Sequence, residues 1–229
     1  MNKGSLTGVG IGPGDPELIT LKGYKALQQA DIIFYPASSK TSDAVTSFSA
    51  SILKQLDLKV PCQPLLFPMT GKKRDEFYRK AYHEVKLEVD NGKQVVVVSE
   101  GDLLFYSTFG YLLQLANNDG LNYTLIPGIP AFIAAGSRGN LPVVDGKSGL
   151  QVFAAISSLS QLEEALKTDS TLVIMKPSTL KESWVEFLSN LQRPFLYAER
   201  VGTALEFVTS KVEDIEQRPI PYFSIIIIY

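Results

Sequence analysis

The feature that most constrains this chain is a glycine-rich turn at residues 8–17, which directly follows the apolar start of the sequence. Its four glycines stand at alternate positions, so one stretch of backbone carries no side chains, and a ligand or a second backbone can approach it closely. Asp15 and Pro16 provide a cap and a first-turn proline for a helical segment. The turn therefore predicts a first strand that ends in a loop built for close contact.

This turn does not match the common phosphate-binding motifs. The dinucleotide-binding fingerprint requires Gly-x-Gly-x-x-Gly at the start of a helix and an acidic residue about 20 residues further on. Here the third glycine comes too early, and Asp31, near the acidic position, fits better at the start of the next strand. A Walker-type loop ends in Gly-Lys-Ser/Thr, which this turn lacks. A tight strand-to-helix turn without a ligand is the structural alternative.

Composition argues against several function classes. A formal net charge of −2 over 229 residues does not suit a nucleic-acid scaffold, which normally carries a basic face. With one cysteine, Cys62, and one histidine, His83, we expect no internal disulfide and no metal centre built from side chains. The first strand begins almost at once, and the apolar run 225–229 is far too short to span a bilayer. We expect a cytoplasmic protein that binds neither nucleic acid nor membrane.

Short apolar runs alternate with amphipathic segments, which predicts an α/β fold. In the first half we expect strands near residues 5–11, 31–35, 58–62, 94–99 and 123–126. In the second half we expect strands at 150–156, 171–176, 194–200, 205–210 and 222–229, with helices at 159–168 and 179–191.

A loop-like stretch at residues 140–149 separates the two halves. We therefore predict an N-terminal α/β domain at 1–142 and a C-terminal α/β domain at 149–229. Each is a largely parallel or mixed sheet flanked by helices, with the ligand cleft between the two domains. Ligands of such sheets bind in loops at the carboxyl ends of the strands.

Three other strand ends carry unusual loops. Glu100-Gly101-Asp102 follows the strand near 94–99, Pro127-Gly128 follows the strand near 123–126, and Lys176-Pro177 follows the strand at 171–176. Alone, Gly-Asp or Pro-Gly is ordinary turn chemistry. Together with the first turn, they predict four loops that converge on a pocket lined by backbone.

These loops resemble the signatures of the tetrapyrrole methylases, enzymes that use S-adenosylmethionine to methylate precorrins and uroporphyrinogen. The resemblance covers nearly the full chain, with residues 9–22, 100–102 and 127–129 matching three signatures. Residues 106–112 and Tyr35-Pro36 most resemble the precorrin-2 C(20)-methyltransferase branch. One position departs from the family, because Leu103 stands where a proline is usual, which makes the loop less rigid.

The resemblance implies methyl transfer from S-adenosylmethionine to the C(20) meso carbon of precorrin-2 or of its cobalt-loaded counterpart, cobalt-factor II, in cobalamin biosynthesis. It also implies a homodimer and no protein-bound metal. The positions that would contact the methyl donor are Pro13, Glu100, Gly101, Asp102, Phe105, Ser107, Thr108, Pro130, Ala131, Met175 and Gly202. Candidate catalytic groups that would take the proton from the methylated carbon are Asp102, Glu100 and Tyr106.

The acetate and propionate groups of a tetrapyrrole require cations. Candidates in or beside the first-domain loops are Lys40, Lys72, Lys73, Arg74, Arg138 and Lys147. Two other functions stay open: a methylase of the same fold that acts on a different tetrapyrrole, a protein or ribosomal RNA, and a nucleotide-binding oxidoreductase module.

Overall fold

The computed structural model of this chain describes residues 4–38, 47–67, 74–180 and 184–229. It contains two compact units, Met1–Pro130 and Ala131–Tyr229, and each unit has one five-stranded sheet. The division falls before the loop at 140–149, where the sequence predicts the domain boundary. The helix Ala131–Gly139 belongs to the second unit because it packs on strands of the second sheet.

The sheet of the first unit is entirely parallel. Its strands are β1 (Ser5–Gly10), β2 (Ile32–Ala37), β3 (Cys62–Leu66), β4 (Gln94–Ser99) and β5 (Tyr123–Ile126). Their order across the sheet is β3-β2-β4-β1-β5. The helices of this unit are α1 (Leu21–Gln29), α2 (Phe48–Leu53), α3 (Arg74–Asp90) and α4 (Phe109–Asn118).

Both faces of this sheet are buried, and β4 shows how its sequence achieves this. Side chains alternate between the two faces of a strand. Val95 and Val97 belong to one apolar cluster, and Val96 and Val98 belong to the cluster on the other face. A continuous valine run is the expected composition of a parallel strand covered by helices on both sides.

One strand of the first sheet lies later than the sequence predicts. The expected strand near 58–62 is β3, at Cys62–Leu66. Pro64 makes that segment look unlike a strand, since proline has no N–H to donate. Because β3 pairs with β2 at the edge of the described sheet, the missing donor is tolerated there.

The second unit has a mixed sheet. Its strands are β6 (Leu150–Ala154), β7 (Thr171–Met175), β8 (Phe195–Glu199), β9 (Phe207–Thr209) and β10 (Ser224–Ile228), in the order β6-β7-β10-β8-β9. Among the strand pairs formed by the described residues of this unit, β6–β7 alone is parallel. The helices are α5 (Ala131–Gly139), α6 (Glu163–Leu166) and α7 (Trp184–Asn190). The predicted α/β class with two sheets flanked by helices is confirmed.

The strand β10 explains the apolar run near the end of the sequence. It lies between β7 and β8, so neighbours pair with it on both sides, and every residue from Ser224 to Ile228 is buried. In the described part of the chain, no helix has the length and apolar composition needed to cross a membrane.

Candidate active site

Three glycine-containing loops meet at the carboxyl edge of the first sheet. They follow β1, β4 and β5, which run in the same direction and therefore end at the same edge. The Gly12 N–H donates to the Gly101 carbonyl at 3.2 Å, and the Gly101 N–H donates to the Gly12 carbonyl at 2.7 Å. The convergence that the sequence predicts is thus confirmed for the three loops of this unit.

The glycines of these loops make room for backbone. A Cβ atom on Gly128 would lie 2.1 Å from the Gly101 carbonyl oxygen, and one on Gly10 would lie 2.6 Å from the Gly128 nitrogen. Real Cβ atoms do not approach other atoms so closely. Gly12 and Gly101 have φ values of 80° and 61°, which favour glycine. Of the two possibilities raised by the sequence, a second backbone rather than a ligand explains the glycines at positions 10 and 128.

Asp102 fastens two of these loops together. Its Oδ1 accepts from the Leu104 N–H at 2.8 Å, inside the loop after β4. Its Oδ2 accepts from the Gly128 N–H at 2.9 Å, in the loop after β5. A carboxylate that accepts charge-assisted bonds from two backbone groups is a strong local constraint. Asp102 therefore has a definite positioning role at this edge.

Glu100 lies half-buried beside the first turn of α2. Its Oε1 accepts from the Ser49 N–H at 3.2 Å. Its other oxygen, Oε2, accepts no hydrogen bond from the residues that the structure describes. Unlike Asp102, Glu100 has one carboxylate oxygen to which no described residue donates a hydrogen bond.

The remainder of the loop after β4 presents aromatic and hydroxyl side chains. The Phe105 and Tyr106 rings meet edge to face with centroids 5.0 Å apart. Tyr106 has a φ of 51° and is 53% exposed. Ser107 Oγ lies 2.6 Å from Ser99 Oγ and accepts from the Phe109 N–H at 3.1 Å. Ser107 thus secures the start of α4, where Thr108 makes no capping hydrogen bond through its side chain.

Pro13 and Pro130 complete the candidate set in the first unit. Pro13 is buried in the turn after β1, and Pro130 is half-buried at the end of the loop after β5. Asp15 behaves as the sequence predicts, because its Oδ1 accepts from the Glu17 N–H at 2.9 Å and Pro16 occupies the first helical position.

Three candidate positions lie in the second unit. Ala131 is the first residue of α5, and Met175 is half-buried at the end of β7. Gly202, with a φ of 82°, follows β8. Its N–H donates to Glu206 Oε2 at 2.6 Å, and Glu206 also forms an ion pair of 3.0 Å with Arg138.

The carboxyl edge of the second sheet has a feature that the sequence did not indicate. The strands β6, β7 and β8 are each followed by a non-glycine residue in the left-handed region. These residues are Ala155 (φ 54°), Lys176 (φ 57°) and Arg200 (φ 44°). Such conformations cost about 1–3 kcal/mol each, and they cluster at ligand clamps. Side-chain identity does not reveal them, since only glycine and asparagine commonly signal a positive φ.

A buried carboxylate, that of Glu199, lies at this second edge. Glu199, the last residue of β8, is 2% exposed. It accepts from the Tyr197 hydroxyl at 2.8 Å and from Arg218 Nη2 at 3.1 Å. Burial, together with the hydrogen bond to Glu199, raises the pKa of Tyr197 above its ordinary value. The charge of Glu199 is therefore fully matched by its neighbours.

Comparison with known proteins decides the family. The family model described as Tetrapyrrole (Corrin/Porphyrin) Methylases matches residues 5–216. The chain belongs to this family. The precorrin-2 C(20)-methyltransferase of Sinorhizobium sp is 32% identical over 238 residues, which cover 98% of this chain and 95% of that protein.

Two further similarities bear on length and on fold. The cobalamin biosynthesis protein CobIJ of Mycobacterium bovis is 28% identical over 97% of this chain, but the match spans only 45% of CobIJ. A crystal structure of uroporphyrin-III C-methyl transferase from Thermus thermophilus, complexed with S-adenyl homocysteine, has a TM-score of 0.67 at 20% identity. That match covers 98% of this chain and 97% of the other, so the two share the tetrapyrrole methylase fold.

The one departure from the methylase signatures has a clear structural role. Leu103, which stands in place of the usual proline, is 1% exposed. It packs under β1, where a Cβ atom on Gly8 would lie 3.0 Å from Leu103 Cδ1 and 2.5 Å from Phe109 Cζ. Burial of an apolar side chain thus anchors this loop where a proline would stiffen it.

The cations expected to meet a tetrapyrrole have different surroundings. Arg138 is paired with Glu206, as described above. Arg74 and Lys147 are exposed, and Lys40, Lys72 and Lys73 lie outside the described residues.

Among the residues that the structure describes, no group of three or more His, Cys, Asp and Glu could hold a metal ion.

Proposed function

We propose that this tetrapyrrole methylase transfers a methyl group from S-adenosylmethionine to the C(20) meso carbon of precorrin-2 or cobalt-factor II, in cobalamin biosynthesis. The observation that carries the proposal is the fastened set of three strand-end loops at the carboxyl edge of the first sheet, in a chain of this family. The similarity to a precorrin-2 C(20)-methyltransferase over nearly the whole of both chains supports the choice of acceptor.

The residues at the strand ends suit a methyl donor that is held mainly by backbone. Bound S-adenosylmethionine would supply an electrophilic methyl group on a sulfonium centre. In the first unit, the loops at residues 100–102 and 127–130 offer peptide groups for this donor. In the second unit, the half-buried thioether of Met175 is suited to pack softly against an adenine ring, and the loop at Gly202 offers further backbone.

Orientation is the main contribution that we assign to the protein. Fixed loops hold two reactants in line, and such positioning can supply about 7–11 kcal/mol of a barrier. The hydrogen bonds that Asp102 accepts from the Leu104 and Gly128 N–H groups hold the loops after β4 and β5 in fixed positions relative to each other. We therefore assign Asp102 a positioning role rather than proton transfer.

A proton must leave the methylated carbon, and Glu100 is the group we assign to accept it. Its Oε2 is not engaged by described residues, whereas both oxygens of Asp102 are. Tyr106 is exposed beside it in the same loop, and its hydroxyl is a second candidate. A positioned base contributes about 10²–10⁴-fold to a rate.

The test is a Glu100→Gln variant measured with both acceptors, metal-free precorrin-2 and cobalt-factor II. We expect turnover to fall by about 10²–10⁴-fold while calorimetry shows an affinity for S-adenosylhomocysteine within twofold of wild type. Glu213→Gln, at an exposed glutamate of the second unit, is the charge-matched control. A wild-type protein that binds NAD but not S-adenosylhomocysteine would instead support the oxidoreductase alternative.

The homodimer and the cytoplasmic location belong to the same proposal. Exposed apolar side chains support self-association, among them Leu21 at 80% and Leu205 at 66% exposure. Sedimentation at micromolar concentration should give twice the chain mass of 25.2 kDa, and a monomer would contradict the dimer. Fractionation of cells that express the protein tests the location.

A further inference from the structure

Two cations stand at matching places on the carboxyl edge of the second sheet. Lys176 directly follows β7, and Arg200 directly follows β8. Both strands are antiparallel to β10, which lies between them, so they run in the same direction and end at the same edge. Two strand spacings separate their backbones by roughly 10 Å.

The backbone of both residues is held in an uncommon conformation. Each has a left-handed φ, and each N–H is bonded to the segment that leads into β10. Lys176 donates to the Ser224 carbonyl at 3.1 Å, and Arg200 donates to the Phe223 carbonyl at 2.8 Å. A left-handed conformation at non-glycine residues persists only where the surroundings enforce it, and it concentrates at ligand clamps.

Two carboxylates that lie close to Arg200 in the sequence are already paired. Glu199 is bonded to Arg218 and Tyr197, and Glu206 is bonded to Arg138 and the Gly202 N–H. Neither Glu199 nor Glu206 therefore pairs with Lys176 or Arg200.

Lys176 and Arg200 themselves are half-buried. The Lys176 amine lies 5.2 Å from the centroid of the Tyr222 ring, a contact that leaves its charge in place. Within the described ranges, neither Lys176 nor Arg200 forms an ion pair. Two half-buried cations that have no counter-ion among the described residues favour a ligand that carries more than one negative group.

We propose that Lys176 and Arg200 bind two carboxylates of one polycarboxylate ligand. On the proposed function, on which this assignment rests, these are acetate or propionate groups on the rim of the tetrapyrrole. Arg200 offers a planar fork that matches a carboxylate in a bidentate manner, while Lys176 offers a compact charge. The two residues therefore orient the rim of the acceptor.

The test uses variants that remove each charge without straining the backbone. Lys176→Gly and Arg200→Gly suit the positive φ at both positions. Ala155→Gly is the matched control, because it makes the same backbone change after β6 without a change of charge. Lys176→Arg and Arg200→Lys retain the charge and should restore most of the binding.

The binding probes are an octacarboxylate porphyrin and a tetracarboxylate porphyrin, each titrated by fluorescence. We expect Lys176→Gly and Arg200→Gly each to weaken octacarboxylate binding roughly tenfold, as for lost hydrogen bonds to a charged group. S-adenosylhomocysteine affinity should stay within twofold in both variants, and Ala155→Gly should match wild type with both ligands. The tetracarboxylate porphyrin should bind more weakly to wild type and respond less to the variants.

The outcomes separate this assignment from the proposed function. Unchanged porphyrin affinity in both glycine variants, or an equal loss in Ala155→Gly, would overturn the carboxylate site. A wild-type protein that binds neither porphyrin would overturn it as well. A protein that shows the expected losses but transfers no methyl group to precorrin-2 or cobalt-factor II would retain the carboxylate site and refute the proposed reaction.

Discussion

The two sheets of this methylase end in carboxyl edges of opposite character. At the edge of the first sheet, glycines remove side chains, and loops close on one another through backbone contacts and the carboxylate of Asp102. At the edge of the second sheet, three side-chain-bearing residues occupy conformations that usually belong to glycine. Two of those residues carry positive charges. Backbone contacts close the first edge, whereas at the second edge we propose that side chains meet a ligand.

The largest loss of stability that we expect from this contrast follows substitution of Gly128. Gly128→Ala places a Cβ atom against the Gly101 carbonyl, so the loops after β4 and β5 must separate. We expect a loss of about 3 kcal/mol or more in the free energy of unfolding, measured by urea denaturation. Gly110→Ala is the control, because nothing lies within 4 Å of that position in α4, and it should gain up to about 1 kcal/mol. Equal stability of the two variants would remove the claim that backbone contacts close this edge.

The next effect concerns Asp102. Asp102→Asn replaces one acceptor oxygen by an amide group that cannot accept, so either the Leu104 or the Gly128 N–H loses its partner. We expect the free energy of unfolding to fall by about 1.5–3 kcal/mol. Asp31→Asn, at the opposite edge of the same sheet, should cost less, because among the described residues its carboxylate accepts from the Gln94 N–H alone. A hundredfold loss of turnover with unchanged stability in Asp102→Asn would instead make Asp102 the base.

A reciprocal exchange of residue types compares the two edges directly. Gly12→Ala introduces a side chain at a φ of 80°, and we expect it to destabilise the protein by about 1–2 kcal/mol. Ala155→Gly removes a side chain at a φ of 54°, and relief of strain should offset the entropy cost of about 0.5–1 kcal/mol. Thermal melting of both variants checks the pair. A clear destabilisation by Ala155→Gly would show that the second edge is not strained.

The smallest effect is the response of the first unit to alkaline pH. Tyr82 donates to Asp119 at 3.0 Å, and burial with this bond raises the pKa of Tyr82 to about 12. Below about pH 10 the hydroxyl keeps its proton in both folded and unfolded states, so its pKa adds no pH dependence there. Between about pH 10 and 12 the unfolded chain loses this proton first, and stability falls as pH rises. Tyr82→Phe should make that decline shallower in urea titrations at pH 8 to 12, and an identical slope would contradict the assignment.

Much of the fold follows from local sequence patterns, and the exceptions have physical causes. Valine alternation in β4 and the capping pair Asp15-Pro16 are visible in the sequence, and both appear as expected. The sequence predicts β3 too early in the chain because Pro64 makes its segment look unlike a strand, although an edge strand tolerates proline. Local sequence patterns therefore predict helices and strands well. They fail where the position of a strand in the sheet, such as an edge, tolerates a residue that is unusual in strands.

The candidate site was less accessible to sequence reasoning because its key bonds join distant residues. The partners Asp102 and Gly128 are 26 positions apart, and Arg138 and Glu206 are 68 apart. The left-handed conformations of Lys176 and Arg200 could not be predicted, because lysine and arginine do not indicate a positive φ. The motifs therefore indicated which loops matter, but not which side chains fasten them and which remain available.

The central position of β10 in the second sheet has a consequence for the folding of the chain during translation. The first unit has all its strands once residue 130 has left the ribosome, but the second sheet lacks its middle strand until residue 228 follows. At ~5–20 residues per second, β7 waits about 3–11 s and β8 about 1.5–6 s, after their own synthesis, for that strand. During that interval the apolar edges of β7 and β8 are open to other nascent chains, so the second unit is where we expect chaperones to act.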